Sequence, residues 1–504
     1  MTGRLAIRLF RWASLAAVAP ALWACASRTV EKPVLKQDQT FVKTFQQAIN
    51  RNVDLLFMVD NSSSMKNSQD NLRQNFPTFM TRLKEPPGLP NVHVAVVSSD
   101  MGAYNPGDPA AIGKCSSSSS GGYAGNNGVF QYSVGPAAAG CTATGLDAGA
   151  TFISDIGGVR NYTGNLEDVF SCIAALGENG CGFEHQFASV LRALGADDLG
   201  APPAENQGFL RDDAYLVVVF ITNEDDCSAP PGVALFDTTA NLTLADQLGP
   251  ITNGFRCNEF GHLCSTGGGA PTRPSRNAPG NDVTATVSYD SCTSNDTDGY
   301  LVSVADTARR LRAVKGDNAD QVLVAAITGP ATPYTVTWKP SAPNDTSCGA
   351  ASCPWPWISH SCGTDDTNHA DPGIRVLQLV DAFGDNGLKL SICDDSFAPA
   401  LDRIATLINQ RLQPPCITQT IANKPGTSDP DCTVVGHTKD ATGRLVDAPV
   451  PSCASNGGVA PCWRLTAAPD PTTCAGQIVD VTTDPGASTA TAQNATVNCS
   501  LVVE

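Results

Sequence analysis

The chain has 504 residues, enough for more than one domain, and carries a formal net charge of −17 from 49 acidic against 32 basic side chains. So acidic a surface argues against nucleic acid or anionic lipid as a partner. Its 19 cysteines are an odd number, which would leave one thiol over in an oxidising compartment.

Arg4, Arg8 and Arg11 precede an apolar run from about Trp12 to Trp23 that is too short to span a bilayer and is followed by Ala24-Cys25. This resembles a bacterial lipoprotein signal of residues 1–24, in which Cys25 becomes the acylated first residue of the mature protein. An ordinary secretory signal cleaved near Ala26 is the alternative, and both imply export. Setting Cys25 aside leaves 18 cysteines, which can pair completely in up to nine disulfides, and loss of the three arginines takes the net charge from −17 to −20. No other apolar run is long enough to cross a membrane, so attachment would depend on the lipid alone. Ala26 after the cysteine is what the enterobacterial sorting pattern associates with the outer membrane. Residues 25–51 form a polar lead that either adds a strand or tethers the folded domain to the lipid.

From residue 52 to about 412, strand-like apolar runs alternate with helical periodicity. Strands are expected at Val53 to Val59, His93 to Val97, Ala214 to Ile221, Gln321 to Ile327 and Leu388 to Ile392. Helices are expected around Leu72, Phe76, Phe79 and Leu83, with a kink at Pro77; around Phe187, Val190 and Leu194; around Leu301, Val304, Ala308 and Leu311; and around Phe397, Leu401, Ile404 and Ile408. The alternation predicts an α/β fold, a doubly wound and mostly parallel sheet that binds its ligand at the carboxyl ends of its strands. Three long insertions, near 102–165, 227–295 and 330–370, hold many of the cysteines, and disulfides are the expected means of ordering them. Residues 413–504 change character: six cysteines among Pro, Gly and Thr predict a small β-rich module stapled by three disulfides.

The first apolar strand ends in Asp60, with hydroxyls following at Ser62 and Ser64. One carboxylate and two hydroxyls on a strand-end loop are all-oxygen donors that suit a hard divalent cation and leave room for water and a further ligand. This Asp-x-Ser-x-Ser pattern resembles the metal-ion-dependent adhesion site of von Willebrand factor type A domains, which would make residues 52–412 such a domain. The resemblance implies two further loops. Gly182 to Phe187 is similar to the integrin β version, in which a glutamate heads a helix, and this assigns Glu184 as a ligand. Val219 to Cys227 resembles the strand that usually ends in Thr-Asp, but Asn223 stands where the aspartate would be, so Asn223 or, through a shift of the loop, Asp225 completes the site. The implied cofactor is Mg²⁺, or Ca²⁺ or Mn²⁺. The implied partner is a protein whose carboxylate completes the coordination, in a lipid-anchored envelope protein that is not an enzyme.

Other chemistries fit less well. There is no Gly-x-Ser-x-Gly elbow, His-Glu-x-x-His motif or Walker-type loop, and the second aspartate of haloacid-dehalogenase-like phosphatases is replaced by Ser62. A hydrolase using the metal to activate water and a structural envelope protein with a stabilising metal loop stay open as alternatives. Cys348, Cys353, His360, Cys362 and His369 could be read as a zinc site, but in an exported protein the disulfide reading is preferred. Asp225 and Asp226 could form a solvated acidic turn, the preferred reading, or bind a separate Ca²⁺, and Ser294 to Gly299 reads as a plain turn.

Overall fold

The computed structural model describes residues 40–48, 51–85, 88–104, 115–116, 124–237, 254–340, 354–365, 368–413, 416–439, 445–468, 474–482 and 494–502. Cys25, Cys348 and Cys353 lie outside them.

Five apolar segments form the parallel part of a seven-stranded sheet. Across the sheet the order is Gly387–Ser391, Val322–Thr328, Tyr215–Ile221, Asn52–Val59, Asn91–Ser98, then two short antiparallel strands, Ile153–Ile156 and Val159–Arg160. The central strands read as continuous apolar runs because both of their faces are covered. From Asn52–Val59, the side chains of Val53, Leu55, Phe57 and Val59 enter one core with helices Lys66–Leu83, Leu166–Ile173 and Ala398–Leu412. Leu56 and Met58 enter the opposite core with helices Gln186–Ala193, Val304–Ala313 and Ile374–Asp381. Phe76 stacks on Phe170 at 3.7 Å between ring centroids, and both rings meet the edge or face of Phe57.

The structure departs from the sequence reading in particular places. Pro77, where a kink is expected, lies inside the single helix Lys66–Leu83. Helices Leu166–Ile173 and Ile374–Asp381, and the two antiparallel edge strands, were not expected. The insertions are stapled as anticipated, by Cys115–Cys181, Cys141–Cys172, Cys227–Cys257 and Cys264–Cys292. Cys362 pairs with Cys393, so within the rejected zinc constellation it is a disulfide sulfur.

The C-terminal module is β-rich and held by Cys416–Cys474, Cys432–Cys499 and Cys453–Cys462. Its four-stranded antiparallel sheet has the order Thr40–Ala48, Asn494–Val502, Cys432–Lys439, Leu445–Val450. The polar lead therefore adds a strand, and adds it to the far end of the chain.

Candidate metal centre

The chain leaves the central strand Asn52–Val59 for Asn91–Ser98 on one side and later returns to Tyr215–Ile221 on the other. The crevice of a doubly wound sheet lies at such a reversal. Three successive loops bring Asp60, Ser99 and Thr222 there, each the residue just past its strand. The Ser62 amide donates to Asp60 Oδ1 at 2.8 Å, Ser99 Oγ donates to the same oxygen at 3.2 Å, and Thr222 Oγ1 donates to Oδ2 at 2.8 Å. Gln69, one turn into the following helix, fixes the loop: its Nε2 donates to the carbonyls of Asp60 and Gly177, and its Oε1 accepts from the Gly177 amide, each at 2.9 Å.

Glu184 approaches from the second loop. Its carbonyl accepts from the Cys227 amide at 2.7 Å, and the His185 amide donates to the Ser99 carbonyl at 3.0 Å, so the backbone on both sides of its side chain is tied to neighbouring loops. The side chain is buried against the carboxyls of Glu224 and Asp60. Burial, then the charges of Glu224 and Asp60, push Glu184 well above the usual carboxylate range; burial, then Asp371 and Asp60, push Glu224 up to about 8. Asp60 is raised by burial against the hydrogen bonds it accepts.

Asn223 faces the first loop. Its Nδ2 donates to Ser64 Oγ at 2.9 Å and to the His369 carbonyl at 3.2 Å. Asp225 does not, which corrects its candidacy as a ligand. One of its oxygens meets His262 Nε2 at 2.7 Å, and its carboxylate accepts from the amides of Arg375 and Val376 at the start of helix Ile374–Asp381. Nor are Asp225 and Asp226 a solvated turn. Asp226 accepts from the Phe187 amide at 2.9 Å in the first turn of Gln186–Ala193 and forms a fully buried ion pair with Arg375 at 3.1 Å. Both carboxylates satisfy the orphan amides of a helix start and sit at the positive end of its dipole.

The donor set fits a hard cation. Asp60, Ser62, Ser64, Glu184 and Glu224 offer only oxygens, and Ser62 Oγ and Glu184 Oε1 are buried without a well-formed hydrogen bond. A buried polar atom left in that state costs free energy that a cation or ordered water removes. Among the described residues no three His, Cys, Asp or Glu side chains close into a cage by themselves, so a cation here would draw on serine hydroxyls and water as well. Sequence reasoning missed Thr222, Ser99 and Glu224. Thr222 belongs to the Thr-Asp pattern and was legible there; Glu224 lies one residue beyond the expected aspartate and carried no signal.

No family model and no curated protein matches the chain. In structure the chain is similar to von Willebrand factor type A domains and pilus adhesins. The open form of the pilus adhesin SpaC from Lactobacillus rhamnosus GG matches at 13% identity and TM-score 0.27, over 92% of this chain and 40% of that one. This chain thus spans less than half of that adhesin. A von Willebrand factor type A protein from Catenulispora acidiphila matches at 10% identity and TM-score 0.27, over 92% and 65%. The von Willebrand domain of a type V pili tip protein from Porphyromonas gingivalis matches at 12% and 0.29, over 74% and 99%.

Proposed function

We propose that this is an exported, lipid-anchored envelope protein that binds a protein partner through a divalent cation held at Asp60, Ser62, Ser64 and Glu184. The observation that carries the reading is the convergence of Ser62, Ser99 and Thr222 on one fully buried carboxylate, Asp60, beside Ser62 Oγ and Glu184 Oε1, which are buried without a well-formed hydrogen bond. A carboxylate so fixed is preorganised for a charge the protein alone does not supply. Asn223 orients Ser64, and Glu224 adds the third-loop carboxylate that Asn223 lacks. A cation bound there would contribute a Lewis-acidic position at the rim of the sheet, open to a partner's carboxylate. His185, beside Glu184, is buried, and burial lowers its pKa to about 4, which makes it a weak proton acceptor.

The test is calorimetric titration of Mg²⁺, Ca²⁺ and Mn²⁺ into the chelated protein, paired with recovery of surface partners with and without EDTA. Cation binding lost in Asp60→Ala, together with EDTA-sensitive partner recovery, is the expected result. Partner recovery indifferent to both would overturn the adhesion reading, and a melting temperature that falls in EDTA with no partner recovered would favour the structural one. Cys25 is tested separately by metabolic labelling with a fatty-acid probe and by loss of label in Cys25→Ala.

A further inference from the structure

Two of the insertions build a small antiparallel sheet with a face that the cation site does not use. Strand Tyr334–Pro340 lies in the middle, with Pro354–Ile358 on one side and Thr286–Tyr289 on the other. Side chains alternate across it. Tyr334, Val336, Trp338 and Ile358 enter a core, where Trp338 Nε1 donates to the Arg276 carbonyl at 3.0 Å. The opposite face shows Thr335, Thr337 and Lys339 from the middle strand. Ser288 pairs with Thr335 there, and Thr286 with Thr337; on the other side Trp357 pairs with Thr337, and Trp355 with Lys339. Trp357 is 39% exposed, and Lys339 Nζ stands 3.5 Å from its ring centroid. Ser288 Oγ and Thr335 Oγ1 share a hydrogen bond of 3.0 Å.

A single exposed apolar residue is ordinary, but two indoles at i and i+2 stand on one side of a strand, roughly 7 Å apart. Edge strands are blunted by prolines and charges. Pro354, Pro356 and the neighbouring Lys339 already supply both, so the tryptophans are not needed for that purpose. They border rows of hydroxyls and one ammonium, and no carboxylate stands among these outward side chains. Exposed aromatic faces stack on flat partners such as nucleobases and sugar rings. The net charge of −17 repels the phosphates that accompany nucleobases. A neutral sugar brings no charge, offers C–H groups to the negative face of an indole, and presents hydroxyls to serine, threonine and lysine. We infer that this face binds a neutral, linear polysaccharide of β-linked sugars, whose equatorial substituents leave the flat sides of each ring as C–H surfaces. Successive rings lie on Trp355 and Trp357. Lys339 covers one face of Trp357, and among the described residues no strand pairs beyond Pro354–Ile358 on the other side. Held over the indole by cation–π attraction, the ammonium donates to sugar hydroxyls from a fixed position.

The experiment is calorimetric titration of cellohexaose and of chitohexaose into the mature chain, in EDTA so that the cation site takes no part. Saturable binding of at least one hexasaccharide is the expected result, with no binding of a dT hexanucleotide. Trp355→Ala and Trp357→Ala should each weaken it by about tenfold or more, the scale on which loss of one stacking ring is felt. Lys339→Gln, which still hydrogen-bonds but leaves the indole uncovered, should weaken it less than either. Urea midpoints matching wild type certify that the variants fold. Absence of binding by both sugars at millimolar concentration, folded tryptophan variants that bind as wild type does, or binding of the oligonucleotide in the sugar's place would each overturn the inference. The wild-type titration decides the first of these even if a variant misfolds.

Discussion

The buried pair Asp226–Arg375 separates the two roles available to the acidic run after Asn223. Both side chains are fully buried. Besides the ion pair, Arg375 Nη1 donates to Ser294 Oγ at 2.8 Å and Nη2 donates to the Val302 carbonyl, while Asp226 holds the first turn of Gln186–Ala193. Removing one member of such a pair strands a charge in the interior, at a cost of about 3–5 kcal/mol; removing both with similar volume is often near neutral. Arg375→Met should therefore destabilise by about 3–5 kcal/mol, a large part of the roughly 5–15 kcal/mol by which a domain is stable. Asp226→Asn should cost somewhat less, because the amide oxygen still accepts from Phe187. The double variant should cost at least about 2 kcal/mol less than the sum of the singles, a coupling within the range for contacting residues. Urea denaturation of the disulfide-intact protein, monitored by fluorescence and repeated in EDTA, measures all three. Singles costing under about 1 kcal/mol, the scale of an exposed pair, or costs that simply add, would falsify the helix-start role assigned to Asp226.

The remaining predictions concern neighbouring parts of the fold. Glu224→Gln should weaken cation binding by about tenfold or more, roughly 1.4 kcal/mol, whereas Asp225→Asn should leave affinity within about twofold and lower stability instead; calorimetry and urea midpoints together tell them apart. Gln69→Ala should cost about 2–3 kcal/mol, because the Asp60 and Gly177 groups it serves lose buried partners, and should loosen cation binding in the same titration. At the other end of the strands, burial holds His93 at about 4 and raises the adjacent Asp54 to about 6. With its pKa depressed by folding, His93 withdraws stability as pH falls from about 6.5 to about 4, by up to about 3 kcal/mol. Asp54, its pKa raised by folding, has the opposite sign over the same window. His93→Gln should thus improve in stability relative to wild type between pH 7 and pH 4.5, and Asp54→Asn should worsen; parallel pH profiles of wild type and His93→Gln would refute this.

The parallel strands were legible because burial on both faces writes them as unbroken apolar runs, Leu55 to Val59 and Leu216 to Ile221 being the clearest. The Asp60 loop was legible because its donors lie within five residues of one another. Elements that depend on distant partners were not. Helix Ile374–Asp381 has eight residues at the end of an insertion, and the edge strand Val159–Arg160 has two exposed ones. The helix-start roles of Asp225 and Asp226 are set by amides at Phe187 and Arg375, far off in sequence on either side. Strand Thr40–Ala48 finds its partner at Asn494–Val502, and nothing in its mixed polar sequence announces that pairing.

That pairing has a mechanical consequence. Strand Thr40–Ala48 is followed, after residues 49–51, by the central strand Asn52–Val59, whose next residue is Asp60. A pull applied ahead of Thr40 and resisted at Asp60 would therefore act through the two extended strands Thr40–Ala48 and Asn52–Val59. The second of those strands is gripped along its length by parallel ladders to Asn91–Ser98 and Tyr215–Ile221, whose bonds would have to yield together. Load between the chain's amino-terminal side and the Asp60 loop would thus act on those two ladders in shear.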